Sequence, residues 1–196
     1  MTKLVDRPNP DGTRGERRRD ALERAGLALL AEHGWAGVTA RAVAEHAGTN
    51  PGLLHYHYGG LPGFRYAVAS RAADAVVEPF LQAVEAGSMA RTVPELLGST
   101  TAVDPAAARL TAALLAGALL QDDVGRAVRD RYRSARSRVA DLVRREHPDW
   151  SDEQVVAVAV LVVGALDGLL LQAAVDPELD LRPAGELLVH AVEVRP

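Results

Sequence analysis

Apolar residues recur along this chain at helical spacing, and no stretch alternates polar with apolar. Leu22, Ala25, Leu29 and Leu30 fall at i, i+3, i+7 and i+8, one face of a helix. The capping box Thr13-Arg-Gly-Glu16 can open that helix, and Gly34 stops it. Thr39 suits the N-cap of a short second helix that turns Val43 and Ala44 inward; Gly48 ends it in the left-handed conformation. Asn50 then caps a third helix with Pro51 preset at its first position, and Gly59-Gly60 end it about two turns later. Two short helices joined by a tight turn are a helix-turn-helix. Pro62 opens a long fourth helix that runs to about Gly87.

Farther on, Thr92-x-x-Glu95, Asp104-Pro105 and Asp122 or Asp123 mark three more starts. The segment from about 123 to 146 is amphipathic, with Val124, Val128, Tyr132, Val139, Leu142 and Val143 as its apolar stripe, and Pro148 breaks it. A second capping box, Ser151-Asp-Glu-Gln154, precedes an apolar helix over 152–175, and a last helix runs from about Pro183 to Val194. The pattern predicts an all-α chain of about nine helices without a repeat. Its expected divisions are a disordered arm over 1–12, a helix-turn-helix domain over 13–60 and a second helical domain over 61–196.

Composition narrows this picture. Hydrophobic residues make up 48% of the 196 but aromatics only 4%, so the core must be built from Ala, Val and Leu. The absence of cysteine excludes disulfides, thiolate zinc sites and a cysteine nucleophile. The opening MTKLVDRPNPDGTRGERRR lacks the apolar stretch of a signal peptide, which leads us to expect a cytoplasmic protein. Val155 to Leu166 is unbroken apolar or small residues, long enough to raise a membrane span. Asp167 argues against one, because an Asp at the bilayer centre costs roughly 2.5–3.5 kcal/mol, and no aromatic belt flanks the segment. The expectation is instead a helix buried in protein on every side.

The net charge of −4 is unevenly spread. Residues 1–64 hold 8 Lys and Arg against 7 Asp and Glu, with the basic excess gathered in Arg14, Arg17, Arg18 and Arg19. A second basic stretch, RAVRDRYRSARSRVADLVRR at 126–145, interleaves with the apolar stripe and reads as the solvated faces of one amphipathic helix.

The densest candidate chemistry is NPGLLHYHYGG at 50–60. His55 and His57 are two apart, so on a helix they point about 200° apart and cannot share an ion. No Asp or Glu lies nearby in sequence, and general acid–base catalysis would need a paired carboxylate and a cleft. Neither a metal, a cofactor nor an enzyme is expected. Leu54 and Tyr58, one turn apart, read as the inward face, leaving Leu53, His55, Tyr56 and His57 for the outside or the helix end. A helix start with Thr49, Asn50 and a basic arm suits phosphate, and short side chains beyond it can reach base edges in a major groove. Asp167 reads as a hydrogen-bonded core or interface residue, with a polar anchor for a ligand as the other reading; a buried carboxylate needs a partner either way.

These residues together resemble the DNA-binding domain of the tetracycline-repressor (TetR) family of bacterial regulators. The resemblance is carried by Leu22, Ala25-Gly26, Leu29-Leu30, Gly34, Thr39, Val43-Ala44, Ala47-Gly48-Thr49-Asn50-Pro51-Gly52 and Leu54-His55-Tyr56-His57-Tyr58, about 45 residues in order. Ala165-Leu-Asp-Gly-Leu-Leu-Leu-Gln172 is similar to the family's penultimate helix, which with the last usually forms a dimeric four-helix bundle. Two positions depart: His55 stands where the family usually has Tyr, and Leu61 where it usually has Lys.

The resemblance implies a homodimeric DNA-binding regulator, with Thr49, Pro51, Leu53 and His55 toward bases, Thr39, Arg41, Tyr56 and His57 near phosphates, and Asn50, Arg14, Arg17 and Arg18 in the same interface. It places Val160, Gly164, Asp167, Leu171, Leu188 and Val192 in the dimer contact. It further implies a repressor on a near-palindromic operator, released by a small molecule. The Leu-, Val- and Ala-rich make-up suits an apolar effector, for which Phe80, Met89, Leu115 and Tyr132 are the candidate lining. Two rivals are a helical ligand-binding and dimerisation module whose helix-turn-helix does not read DNA, and a small helical enzyme.

Overall fold

The computed structural model describes residues 13–98, 105–176 and 178–193; the expected arm over 1–12 lies outside them. Among the described residues the elements are nine helices and no strand: α1 (Arg14–Gly37), α2 (Ala40–His46), α3 (Gly52–Tyr58), α4 (Leu61–Ala86), α5 (Met89–Gly98), α6 (Pro105–Leu120), α7 (Asp122–Glu146), α8 (Asp152–Val175) and α9 (Arg182–Glu193). The chain forms two compact units, one from the described part of Met1–Ala75 with Arg109–Arg129, the other from Val76–Ala108 with the described part of Asp130–Pro196. The break expected near residue 60 is the short join between α3 and α4, whereas the units part within α4, α6 and α7.

Local chemistry sets most helix starts. Thr13 and Glu16 form the expected reciprocal cap on α1, and Ser151 and Gln154 do the same on α8. Gly34, at φ 64° and ψ −168°, stops the first stretch of α1 as expected, and a short helical turn follows across the kink to Gly37. The expected start at Thr92 is overturned: α5 begins at Met89, and Thr92 lies one turn inside, its backbone N–H donating to the Ser88 carbonyl. The Gly87-Ser88 break had already ended α4, so Thr92-x-x-Glu95 had no orphan N–H groups left to cap.

In the first unit, Leu22, Ala25, Leu29 and Leu30 are buried as the spacing requires, joined by Leu27 and Trp35. Gly26 lets α1 press against α4, for a Cβ there would stand 2.6 Å from Val68 Cγ2 and 2.8 Å from Phe64 Cζ. Trp35 Nε1 donates to the Ala113 carbonyl at 2.8 Å, and the indole lies over Gly117 one turn farther along α6. In the second unit, α5, α7, α8 and α9 contribute a core that includes Met89, Val93, Leu97, Val139, Val143, Val155, Val162 and Val189. Arg138 of α7 holds two carboxylates of α4, with Nη1 to Glu78 Oε2 at 2.6 Å and Nε to Glu85 Oε1 at 2.7 Å.

The expectation that the apolar helix is buried on every side fails for this chain. One side of α8 enters the core through Val155, Val158, Ala159, Val162 and Leu166. The other leaves Val156, Val160 and Leu161 about half exposed, at 52%, 53% and 49%. By length and composition Asp152–Ala173 could cross a membrane. A helix apolar all round needs cover on both sides, and a single copy of the chain covers one.

Two consequences are testable. A methyl on Gly117 would stand 2.2 Å from Trp35 Nε1 and 2.6 Å from Cδ1. Gly117→Ala should therefore cost about 1–3 kcal/mol by overpacking, partly offset by about 1 kcal/mol of helix propensity. Urea unfolding followed by Trp35 emission, with Trp150→Phe as background, checks it. Hydrogen bonds from Arg138 hold Glu78 and Glu85 below the usual carboxylate range. Groups so lowered stabilise the fold above the ordinary carboxylate range and lose that contribution as pH falls through their lowered values. Arg138→Gln should thus lower the melting temperature at pH 7 and change it little at pH 2–3.

Candidate nucleic-acid interface

The helix-turn-helix is set by its punctuation. The Thr39 hydroxyl accepts from Ala42 N–H at 3.2 Å to start α2, which turns Val43 and Ala44 into the core. Gly48, at φ +61°, makes the turn at a backbone angle that other residues adopt only with strain. Asn50 Oδ1 accepts from Gly52 N–H at 2.8 Å, so the side chain caps α3 as expected, although Pro51 is the residue just before the helix.

What fixes α3 is its last residue. Leu54 is buried, and Tyr58, one turn on, reaches α1: its hydroxyl is 2.9 Å from Glu23 Oε1 and 3.2 Å from the Arg19 carbonyl oxygen. The Arg19 guanidinium lies 5.3 Å from the Tyr58 ring centroid, and Phe64 of α4 meets the same ring edge-on at 5.1 Å. Burial, reinforced by the Glu23 carboxylate, raises the Tyr58 pKa far above that of a free phenol. Glu23 is held in turn by Arg71, which also pairs with Asp20 at 2.7 Å. The reading of Leu54 and Tyr58 as the inward pair is what the structure shows.

With that side fixed, the opposite side is presented. Tyr56 is 81% exposed, a large value for an aromatic ring, and His55, Asn50 and Pro51 are exposed beside it. Leu53, His57 and Thr49 are half-buried; His57 is braced edge-on by Tyr56 at 4.9 Å. Thr39 and Arg41 are exposed at the start of α2. Arg14, Arg17 and Arg18 are exposed on the first two turns of α1, with no ion-pair partner among the described residues. The acids of the following turn are engaged elsewhere, because Asp20 pairs with Arg24 and Arg71. Leu61 is half-buried at the start of α4.

Sequence reasoning missed Arg19 and Glu23 as the groups that position α3. Both lay in a run of charges, and nothing in their spacing named a tyrosine 35 residues on.

The candidate residues of the second unit fall apart differently. Tyr132, a candidate ligand residue, donates its hydroxyl to Asp167 Oδ2 at 2.5 Å, a candidate dimer residue. Burial raises the Asp167 pKa, and the bond from Tyr132 pulls it partway back. Met89 is packed inside the core and Phe80 against it, while Leu115 belongs to the first unit. Val160 and Gly164 are exposed on α8; Leu171 is half-buried, as is Leu188, which packs on the core. The Val192 side chain lies outside the described residues.

Residues 86–194 match the family described as BetI-type transcriptional repressor, C-terminal, and residues 23–60 match the bacterial regulatory proteins of the tetR family. No curated protein matches the chain. Among solved structures it is similar to a transcriptional regulator (RHA1_ro04179) from Rhodococcus sp. RHA1, with 21% identity, TM-score 0.71, and 94% of this chain and 100% of that one covered. Salmonella enterica GusR gives 15% identity and a TM-score of 0.74, with 92% and 97% covered. The multidrug binding protein EbrR, solved with imidazole, gives 19% and 0.67, with 97% and 98% covered. At these identities the solved structures bear on the fold alone.

Tyr58→Phe keeps the ring and removes the hydroxyl bond to Glu23. Unfolding in urea should show a loss of about 0.5–1.5 kcal/mol, the net value of one such bond. An unchanged midpoint would mean that the ring contacts alone hold α3.

Proposed function

From a chain that belongs to the TetR family of transcriptional regulators, we propose a homodimeric repressor that reads a near-palindromic operator and leaves it when a small effector binds. The observation that carries this is the outer side of α3, where an exposed Tyr56, His55, Asn50 and Pro51 stand on a helix whose inner side is pinned by Leu54 and Tyr58. An aromatic ring held in water on a rigid two-turn helix suits a partner, not a core. Thr49, Pro51, Leu53 and His55 would face base edges, and Thr39, Arg41, Tyr56, His57, Arg14, Arg17 and Arg18 phosphates.

The half-exposed row Val156, Val160 and Leu161 on α8 supports a second copy as its cover, with Gly164, Asp167, Leu171 and Leu188 in or beside the contact. Two α3 helices related by that two-fold would enter major grooves about one turn, roughly 34–36 Å, apart. Likeness to a BetI-type repressor domain and to the drug-binding EbrR favours an effector site in the second unit. Its apolar make-up suits a small, largely apolar molecule, with Phe80, Met89 and Tyr132 as lining. The role is binding, with no reaction assigned, and the place of action is the bacterial cytoplasm.

Fluorescence anisotropy tests this with duplex DNA from immediately upstream of the gene against a scrambled duplex. The upstream duplex should bind on the order of a thousandfold more tightly, and Tyr56→Ala should weaken it. Arg17→Gln with Arg18→Gln should reduce the salt slope by about 3.6, at roughly 0.9 for each of the four phosphate contacts that the two protomers lose. Equal affinity for both duplexes would move the reading to a helical module that does not read DNA.

A further inference from the structure

Arg71 of α4 makes two ion pairs with a single nitrogen. Its Nη1 lies 2.7 Å from Asp20 Oδ1 and 3.1 Å from Glu23 Oε2, so it grips two acids one turn apart on α1. Burial acts to lower the Arg71 pKa, and hydrogen bonds to Asp20 and Glu23 outweigh it and raise it. The other oxygen of Glu23 accepts from the Tyr58 hydroxyl at 2.9 Å. A chain of contacts therefore runs from α4 through α1 to the last residue of α3, all of it inside the first unit.

Phe64 and Val68 of α4, both fully buried, meet α1 at Gly26 through apolar surface, which sets distance but not direction. Arg71, three positions past Val68, adds a directional contact. Without its charge, Glu23 would be a carboxylate only 19% exposed and stripped of that counter-ion. A covered charge that loses its partner is costly, so the side chain would turn toward water and take the acceptor of Tyr58 with it. Leu54 and the Tyr58–Phe64 ring contact would still dock α3. The helix would stay in place and lose the bond that orients it.

On the reading of α3 as the helix that enters the operator, we propose that Arg71 is a positioning residue for DNA recognition. Through Glu23 and Tyr58 it fixes the direction in which His55 and Tyr56 are presented. Specific binding requires one arrangement of α3, and a helix free to take several must be ordered as it binds. Non-specific binding rests on phosphate contacts and is little affected by that order. Arg71 therefore governs discrimination between sequences more than affinity for DNA at large. Because one nitrogen makes both contacts, the compact ammonium of a lysine can take its place, which a forked contact would not allow.

The test compares the full chain with Arg71→Gln, Arg71→Lys, Tyr58→Phe and the double variant Arg71→Gln with Tyr58→Phe. Anisotropy with the upstream and scrambled duplexes measures discrimination. Hydrogen exchange of the 53–59 amides measures the order of α3 in the absence of DNA. Arg71→Gln should weaken the upstream duplex about tenfold, a typical coupling through a shared partner, and leave the scrambled one unchanged. It should also speed exchange in α3 and not in α2, and Arg71→Lys should restore most of both. Tyr58→Phe cuts the same link more gently, so adding Arg71→Gln to it should cost little further discrimination. Circular dichroism confirms that each variant keeps its helices. Equal losses on both duplexes, wild-type exchange in α3 of Arg71→Gln, or full additivity of the two changes overturns the proposal. Failure of the operator reading looks different: the intact chain would bind both duplexes equally, while exchange in α3 would still respond to Arg71.

Discussion

The hydroxyl of Tyr58 is the contact on which the arrangement of the helix-turn-helix turns. A two-turn helix such as α3 has too few internal hydrogen bonds to hold itself and must be fixed by what it packs against. Leu54 supplies the apolar anchor, and Tyr58 adds direction by reaching Glu23 and the Arg19 carbonyl on α1 while its ring lies against Phe64. Glu23 cannot drift, because Arg71 holds its other oxygen. One helix side is thereby locked, and the exposure of Tyr56 and His55 follows from their positions one and two residues from those anchors around the turn.

The second unit solves a different problem, a core almost without aromatics. Small side chains allow helices to approach closely, and Gly185 shows how closely: a Cβ there would stand 3.0 Å from Leu97 Cδ1 and 3.1 Å from the Pro94 backbone. The unit's half-buried tyrosine and aspartate are matched to each other, as the cost of burying either alone requires. Tyr132 meets Asp167 across α7 and α8, and Arg138 gathers two carboxylates of α4. The apolar outer side of α8 is left over, and on the reading proposed above a second copy covers it.

Much of this was legible in the sequence because the signals are local. Thr13, Thr39, Gly48, Gly59 and Ser151 act within a few residues, and each stands where its chemistry placed it. The start of α5 was misread because a capping pattern counts only where a helix has free N–H groups, and Ser88 had already begun the turn. Long-range pairings were out of reach. Nothing in the spacing of Tyr132 and Asp167 says that one donates to the other, and nothing around Glu23 points to Tyr58. The cover of α8 was half legible: its composition demands apolar surroundings on all sides but cannot say which come from the same chain. The residues proposed to face DNA rest on family resemblance, and the structure adds only their exposure and support.

The central claim is that the outer side of α3 lies in a major groove. The chain contains no cysteine, so His55→Cys gives a single attachment point for a DNA-cleaving iron chelate. Bound to duplex from upstream of its gene, the labelled protein should cut in two clusters about one helical turn apart, symmetric about the operator centre. Scattered cutting, or none while the protein remains bound, would contradict the account.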